Sequence, residues 1–443
     1  MSLYILPNQL FDYALLPKSV SSIVIWEHPS FFTKYNFNKK KLLLHRASMR
    51  YYFDHIPKHI SATYIEFHES HSKPEKCLFF DPINSIRSFT VRAKMIESPN
   101  FLLTKDIYSD IYDNKKSKKI SFTRYFYPRC KTYLDFLIDT KSTDKDNRAP
   151  FNKKIAVLPL PSFTHTHYIN EAIQYIQMHF KHNYGNTEHF SYPINRVHAR
   201  DWLDHFIQNN ITHFGTYQDA FNSSHDNMFH SMLSSSLNIG IINPSDVLDA
   251  LKNTKKRVPI NSLEGYFRQL CWREFQRYCY IYYKDTLSKS SLFNFTNKMD
   301  KRWYNATTNI LPIDNCIRKA FDTAYLHHIE RLMIVGNFMV LCEIKPSYGH
   351  KWFMEFAIDS YEWVMLQNVY DMVFFNANGL TSYKPYITSS KYLTKMSDYS
   401  TADEWTDIWN TKYRNFLKKH AVKLQKYKYH FPIIKKYLKK NSF

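Results

Sequence analysis

The sequence predicts an α/β domain, a connector and then a large all-helical domain, and three observations carry that prediction. Over the first hundred or so residues, short apolar runs alternate with helix-patterned stretches, the order that builds a doubly wound parallel sheet covered by helices. From about Phe190 onward the apolar spacing becomes helical and stays so. At 443 residues the chain is long enough for two or three domains with cores of their own. The expected division is 1–110, 111–195 and 196–443.

In the first domain, LYIL near the N-terminus, IVIW at 23–26, ATYIEF at 62–67, CLFF at 77–80 and NFLLT at 100–104 read as strands. Lys40 to Ile56 and Ile83 to Ile96 read as helices between them. Residues 110–195 carry the weakest pattern. There DNKKSKKISFTRYFYPRC is basic with aromatics interleaved, which suits phosphate neutralisation and base stacking and equally suits a solvated linker face.

The helical part is organised around Cys316 to Tyr399. It begins CIRKAFDTAYLHHIERLMIVGNF, whose apolar spacing predicts one helix with His327 and His328 in its middle. Neighbours on a helix point about 100° apart, so only one of the two is expected to face a given pocket. After a break around Pro346 and Gly349, HKWFMEFAIDSYEWVMLQNVYDM reads as a second helix carrying Trp352, Asp359, Tyr361 and Trp363. An acid among tryptophans fits the lining of a cofactor pocket, or a core helix whose acid is paired.

Composition narrows the function. A formal net charge of +21 favours a polyanionic partner, nucleic acid before anionic membrane. The seven glycines are dispersed, which excludes the Gly-rich phosphate loops of P-loop, dinucleotide and kinase folds. A nucleotide cofactor must therefore be held by other donors. Six cysteines without a CxxC pair suggest a reduced, intracellular chain with no autonomous zinc site. Met1 to Leu10 lacks a basic start followed by an apolar run, and the longest apolar stretch, Met333 to Cys342, is too short to span a bilayer. The expectation is a soluble monomer with no membrane partner.

AYLHHIERLMIVGNF, YEWV, KPY at 384–386 and KMSDY at 395–399 stand in the order in which the photolyase and cryptochrome superfamily carries similar segments. ILPNQL occupies the place of that family's opening LGDQL-like turn, and FGTYQDAF, FHSMLSSSLNIGIINP and INSLEGYFRQLCWREFQRYCYIYY follow in the family's order. The chain most resembles the iron-sulfur bacterial branch, the prokaryotic (6-4) photolyases. The resemblance implies an all-helical domain that binds FAD. Ser231, Ser234 and Ser235 match hydroxyls that bind the flavin's phosphates, and Gln269, Trp272 and Arg273 match its cradle. Asp359 matches the aspartate that hydrogen-bonds the flavin ring, with Asn368 nearby. His328, with His327 as second choice, matches the histidine that meets the (6-4) lesion, where an imidazole can exchange a proton near neutral pH. Trp352 and Trp303 are candidates for the rings that carry electrons to the flavin, and Lys384, Tyr386 and Tyr392 stand on the substrate side. The family's N-terminal domain holds an antenna pigment, a lumazine in this branch.

The departures from the family pattern are as informative. Pro7 and Asn8 replace the usual Gly and Asp of the opening turn, and the N-terminal domain is shorter. Of four cluster cysteines only Cys316 remains, since Ser400 and Asp403 occupy the CxxC positions and no cysteine follows Cys342. An iron-sulfur cubane needs about four thiolates, so loss of the cluster is expected. Met365 replaces a glutamate close to the flavin's reactive nitrogen, and a thioether cannot exchange a proton. Phe353 replaces a tyrosine. The tail from Trp405 carries eleven Lys or Arg and no acid after Asp407, either a solvated face or a set of phosphate contacts.

The expected function is light-driven repair of UV pyrimidine photoproducts in duplex DNA, by electron transfer from reduced FAD to a flipped-out lesion. The rival is a photolyase-like protein without repair activity, either a cryptochrome-like light sensor or a DNA-binding or structural relative. Loss of the cluster predicts that iron and acid-labile sulfide assays on the purified chain return no stoichiometric signal. Four iron atoms per chain would contradict it.

Overall fold

The computed structural model describes residues 1–71, 76–84, 86, 93–115, 119–152, 154–163 and 167–440. The first four expected strands form, as β1 (Ser2–Ile5), β2 (Ser22–Trp26), β3 (Ser61–Ile65) and β4 (Leu78–Phe80). With β5 (Lys94–Ile96) they make a five-stranded sheet of order β3-β2-β1-β4-β5, parallel at every pairing. Strand order reverses between β1 and β4, the doubly wound arrangement. Leu3, Ile5, Ile23 and Ile25 are fully buried, as strands covered on both faces require. Helix α1 (Lys39–Asp54) lies between β2 and β3, and Asn38 caps it by accepting from the Lys40 amide.

Two expectations for this domain fail. NFLLT at 100–104 is not a strand, because the Leu102 and Leu103 amides each donate to a carboxylate oxygen of Glu274 at 3.1 Å. Glu274 is fully buried and also accepts from the Tyr108 hydroxyl at 2.6 Å. The backbone of this apolar run is thus satisfied by an acid from the helical domain instead of a neighbouring strand. Thr104 then caps α2 (Lys105–Asp113). The helix expected from Ile83 to Ile96 ends as strand β5 instead, and its middle, residues 85 and 87–92, lies outside the described residues.

The connector contributes a π-helical turn (Phe122–Phe126), α3 (Tyr127–Tyr133) and α4 (His167–His179), and α4 packs against α1. The helical domain follows with α5 (Ser234–Ile239), α6 (Ile260–Lys289), α7 (Leu311–Thr323), α8 (Pro346–Phe356), α9 (Glu362–Met365) and α10 (Trp405–Lys419). Helix α6 is about 45 Å long and buries a broad apolar face, Tyr266, Phe267, Leu270, Cys271, Phe275 and Tyr278, together with the charged Glu264, Arg268, Glu274 and Arg277. It packs on α9 and on a π-helical segment, Leu366–Val373. Among the described residues no helix is long and apolar enough to cross a membrane.

Both long helices expected in the central stretch are broken. Helix α7 stops at Thr323, Ala324 turns into the left-handed region (φ 57°), and a non-helical stretch precedes the π-helical segment Glu330–Gly336. Helix α8 stops at Phe356, and residues 357–361 are non-helical before α9. The Ile358 amide donates to the Ala324 carbonyl at 2.9 Å, so each break satisfies the other's backbone. Periodicity along the chain cannot register a partner more than thirty residues away.

Glu274→Ala would leave two amides and a phenol buried without an acceptor. The variant is expected to lose on the order of 3 kcal/mol, read as a lowered thermal midpoint, and an unchanged midpoint would contradict this account of the 100–104 run.

Candidate functional site

The two paired breaks bring several of the expected site residues together. Asp359, in the second, accepts from both terminal nitrogens of Arg331 at 2.9 and 3.1 Å. Its backbone carbonyl accepts from Asn238 Nδ2 at 2.8 Å, and Asn238 Oδ1 accepts from Arg273 Nη2 at 3.3 Å. A continuous polar chain, Arg273–Asn238–Asp359–Arg331, therefore joins α6, α5, the loop before α9 and the segment after the histidines. Arg273 also donates to Asn100 and lies 4.6 and 5.0 Å from the rings of Phe101 and Trp363.

Electrostatics follow from burial. Burial raises the Asp359 carboxyl, but the Arg331 charge and hydrogen bonds from Arg331 and Ser234 outweigh it and hold the group below its ordinary 3.8. Burial lowers Arg273 to about 10, which leaves it charged at neutral pH. Beside this chain, Ser235 Oγ, Ser236 Oγ and Arg273 Nε are buried with no hydrogen-bond partner among the described residues. Such orphaned hydroxyls and a guanidinium suit an anionic, hydrogen-bonding ligand.

The other expected cofactor residues divide. Ser231 is engaged, accepting from the Tyr266 hydroxyl at 2.8 Å and the Leu233 amide at 3.4 Å. Trp272 stacks on Phe122 of the connector at 3.8 Å, and Asn368 pairs with Gln276 and the Val364 carbonyl. Gln269 is half-buried on α6 and Met365 is buried on α9. Ser234, Arg273 and Asp359 are thus drawn into one network, whereas Trp272 and Asn368 are held by other elements.

The expectation that only one histidine faces a given pocket is overturned. His327 lies in the non-helical stretch and His328 at the start of the next helical turn, so the 100° rule does not govern them. One ring nitrogen from each, and one from His230, lie within 4.8 Å of one another. His327 is buried, its amide donates to Glu330 at 3.0 Å, and Glu330 pairs with Lys319 at 2.9 Å. The His328 side chain is 41% exposed, and its Nε2 lies 3.5 Å from Asp219 Oδ1. Asp219 also accepts from the Tyr392 hydroxyl at 3.4 Å and faces Arg148 Nε at 3.7 Å. Burial pushes Tyr386 up, with Asp144 adding to it, and burial lowers Lys384, with Arg148 adding to it. All three substrate-side expectations, Lys384, Tyr386 and Tyr392, therefore cluster by the connector's Arg148.

His230, Asp219, Arg331 and Asn238 are the site residues that sequence reasoning passed over. Each lies inside a segment that resembles the family, FHSMLS, FGTYQDAF, HHIERLM or SLNIG. A titratable or amide side chain in an otherwise apolar run was the available signal.

Trp352 is fully buried and donates from Nε1 to the Trp303 carbonyl at 2.9 Å. Its ring lies 6.1 Å from Phe321, which lies 6.2 Å from the half-buried Tyr304. Phe353, like Trp352, is buried. Cys316 is buried, and burial together with Glu330 pushes its thiol up. At the two positions where the resemblance expects lost cluster cysteines, Ser400 Oγ accepts from the Ala402 amide and Asp403 accepts from Trp405 Nε1. Asn8 and Gln9 of the opening turn donate to the Pro82 and Phe80 carbonyls, tying it to the end of β4. A cavity of about 20 Å³, room for a water, lies after β2 between Phe31, Tyr35, Lys41 and Tyr361.

A family model described as deoxyribodipyrimidine photo-lyase-related protein matches residues 3–79 and 79–192. A (6-4) photolyase of Agrobacterium fabrum is 33% identical over 259 residues, 58% of this chain and 51% of that protein. The match thus spans about half of that relative's length. The fold is similar to the Synechocystis cryptochrome (TM-score 0.60, 13% identity, 95% of this chain and 89% of that one). It is also similar to an archaeal photolyase from Sulfolobus tokodaii (TM-score 0.54, 13% identity, 94% of this chain and 93% of that one).

Because the Asp359 carboxyl is held below 3.8, its pairing stabilises the fold fully above that value and the contribution is lost as pH falls through the lowered native value. Asp359→Asn is expected to flatten the acid limb of a series of thermal midpoints against pH. An acid limb as steep as the parent's would contradict the pairing.

Proposed function

We propose that the chain is a photolyase-related protein of the photolyase and cryptochrome superfamily, and that it repairs UV pyrimidine photoproducts in duplex DNA, the (6-4) product first, with FAD as its light-absorbing cofactor. The observation that carries the reading is the Arg273–Asn238–Asp359–Arg331 chain with the unpartnered hydroxyls of Ser235 and Ser236 beside it. Its donors and single acceptor carboxylate suit the phosphates and ring edge of a flavin without any Gly-rich loop. The archaeal photolyase of similar fold is described with two FAD molecules.

Reduced FAD, when bound, supplies an electron on absorbing light. The remaining work falls to this chain's residues. Arg273, Ser234 and Ser235 hold the phosphates, and Arg331 fixes Asp359 as a hydrogen-bond acceptor for the ring. Lys384, Arg148 and the basic tail neutralise DNA phosphates, an attraction that weakens with salt. Tyr386 and Tyr392 border the opening into which the damaged pyrimidine pair of one strand is flipped. His328, half exposed and oriented by Asp219, moves a proton at the lesion, with His327 behind it. Trp352 and Trp303 lead electrons from the surface. The reading involves no iron-sulfur cluster, since Cys316 alone keeps a ligand position, and it assigns no antenna pigment.

One observation favours the rival light-sensor reading: Met365 is buried on α9 at a position where a carboxyl would serve proton transfer. An absorption spectrum and a (6-4) repair assay separate the two. His328→Ala is expected to lower repair by about 10²–10⁴-fold with flavin content unchanged, and Asp359→Ala to lower flavin content itself. Flavin without repair in the parent chain favours the sensor, and a chain that refuses added FAD overturns both readings.

A further inference from the structure

His230 precedes α5, and its ring meets the histidine pair. Its ring stacks on His327 with centroids 5.0 Å apart and planes at 16°, and His328 stands edge-on to it at 5.7 Å and 75°. One nitrogen from each of the three lies within 4.8 Å of the other two. Nε2 of both His230 and His327 is buried without a hydrogen-bond partner among the described residues. Two unpartnered imidazole nitrogens buried side by side are costly unless they serve a ligand.

The electronic state fits metal ligation. Burial, His328 and Lys319 lower His230 to about 3, and burial together with His230 and Lys319 holds His327 well below 6.5, so both rings are neutral and keep a lone pair. The His230 ring hydrogen-bonds the Gln218 carbonyl, and since Nε2 is unpartnered this bond falls to Nδ1 and leaves the lone pair on Nε2. Asp219, 3.5 Å from His328 Nε2, stands where a carboxylate orients a ligating imidazole. Glu330 Oε2 lies 3.8 Å from His327 Nε2. These two carboxylates offset a dication, while Lys319 opposes it but is itself paired with Glu330.

We propose that His230, His327 and His328 form a binding site for a divalent transition-metal ion of the nitrogen-preferring class, such as Zn²⁺ or Co²⁺, with open coordination positions on the solvent side of His328. Three imidazoles and an open position suit these ions and not the oxygen-preferring Mg²⁺. Ligand nitrogens around such an ion stand roughly 3.4 Å apart, so the rings must close in, which the half-exposed His328 is free to do. Ligation through His327 Nε2 moves that ring's proton to Nδ1 and gives up the long contact from the Ile329 amide, 3.3 Å. The site shares its pocket with the repair reading but needs neither flavin nor DNA to be tested.

The test is a Co²⁺ titration of the purified, chelator-treated full chain, followed by visible ligand-field absorption and by displacement with Zn²⁺. One saturable site per chain is expected. His230→Ala, His327→Ala and His328→Ala should each weaken it by at least about tenfold, and Asp219→Asn by about tenfold through His328. The exposed His55→Ala should leave it unchanged. Circular dichroism checks each variant's fold, and His328→Ala, whose side chain is half exposed, decides the matter should His327→Ala fail to fold. Absence of a saturable signal, or its persistence in both His230→Ala and His328→Ala, overturns the proposal. A failed repair assay would leave this result untouched.

Discussion

The pairing of Arg331 with Asp359 is the interaction on which the rest of the site depends. It is a buried, two-pronged ion pair, and such a pair contributes little net stability while it is intact. Removing either partner strands a charge in the interior at a cost of about 3–5 kcal/mol. Its value here is geometric. It locks the segment after the histidines to the loop before α9, and the Asp359 carbonyl then takes the Asn238 amide, which fixes α5. The Ile358 to Ala324 backbone bond closes the same junction from the other side. A change at one arm of this junction would shift the histidines, the serines and Arg273 together.

A second device recurs through the chain. With few glycines, its loops rely on buried carboxylates to satisfy backbone amides. Glu274 takes the amides of Leu102 and Leu103, Asp371 those of Ala377, Thr381 and Ser382, and Asp314 those of Thr308 and Asn309. Glu264 takes the Thr143 amide and the Tyr127 hydroxyl. Each acid replaces a strand or cap that the sequence lacks. Buried bases such as Lys41, Arg46, Arg268 and Arg277 accompany these acids, so the interior draws on both signs of charge.

The two side-chain clusters of the candidate site are built on different principles. Around Arg273 and Asp359, charges are paired and hydroxyls are left over, a polar cradle that suits a charged, flat cofactor. Around the histidines, burial keeps two imidazoles neutral and Asp219 ties the third to Tyr392 and Arg148. Arg148 comes from the connector, so this weakly patterned stretch closes the site that the helices open.

Four of the five strands, α1 and the all-helical character of the second half were legible in the sequence, because apolar alternation and helical spacing are local properties of the chain. Ser234, Arg273, Asp359 and the two histidines were legible as residue types in segments that resemble a family. Layer order, the basic charge and the absence of a Gly-rich loop follow from composition and local pattern alone. Only tertiary structure decided that NFLLT would bond to Glu274 instead of joining the sheet, and that both central helices would break. It also decided that His327, His328 and His230 would meet. In each case the deciding partner lies far along the chain, and a hydrogen bond or ion pair formed across that distance outweighs the local preference that periodicity records.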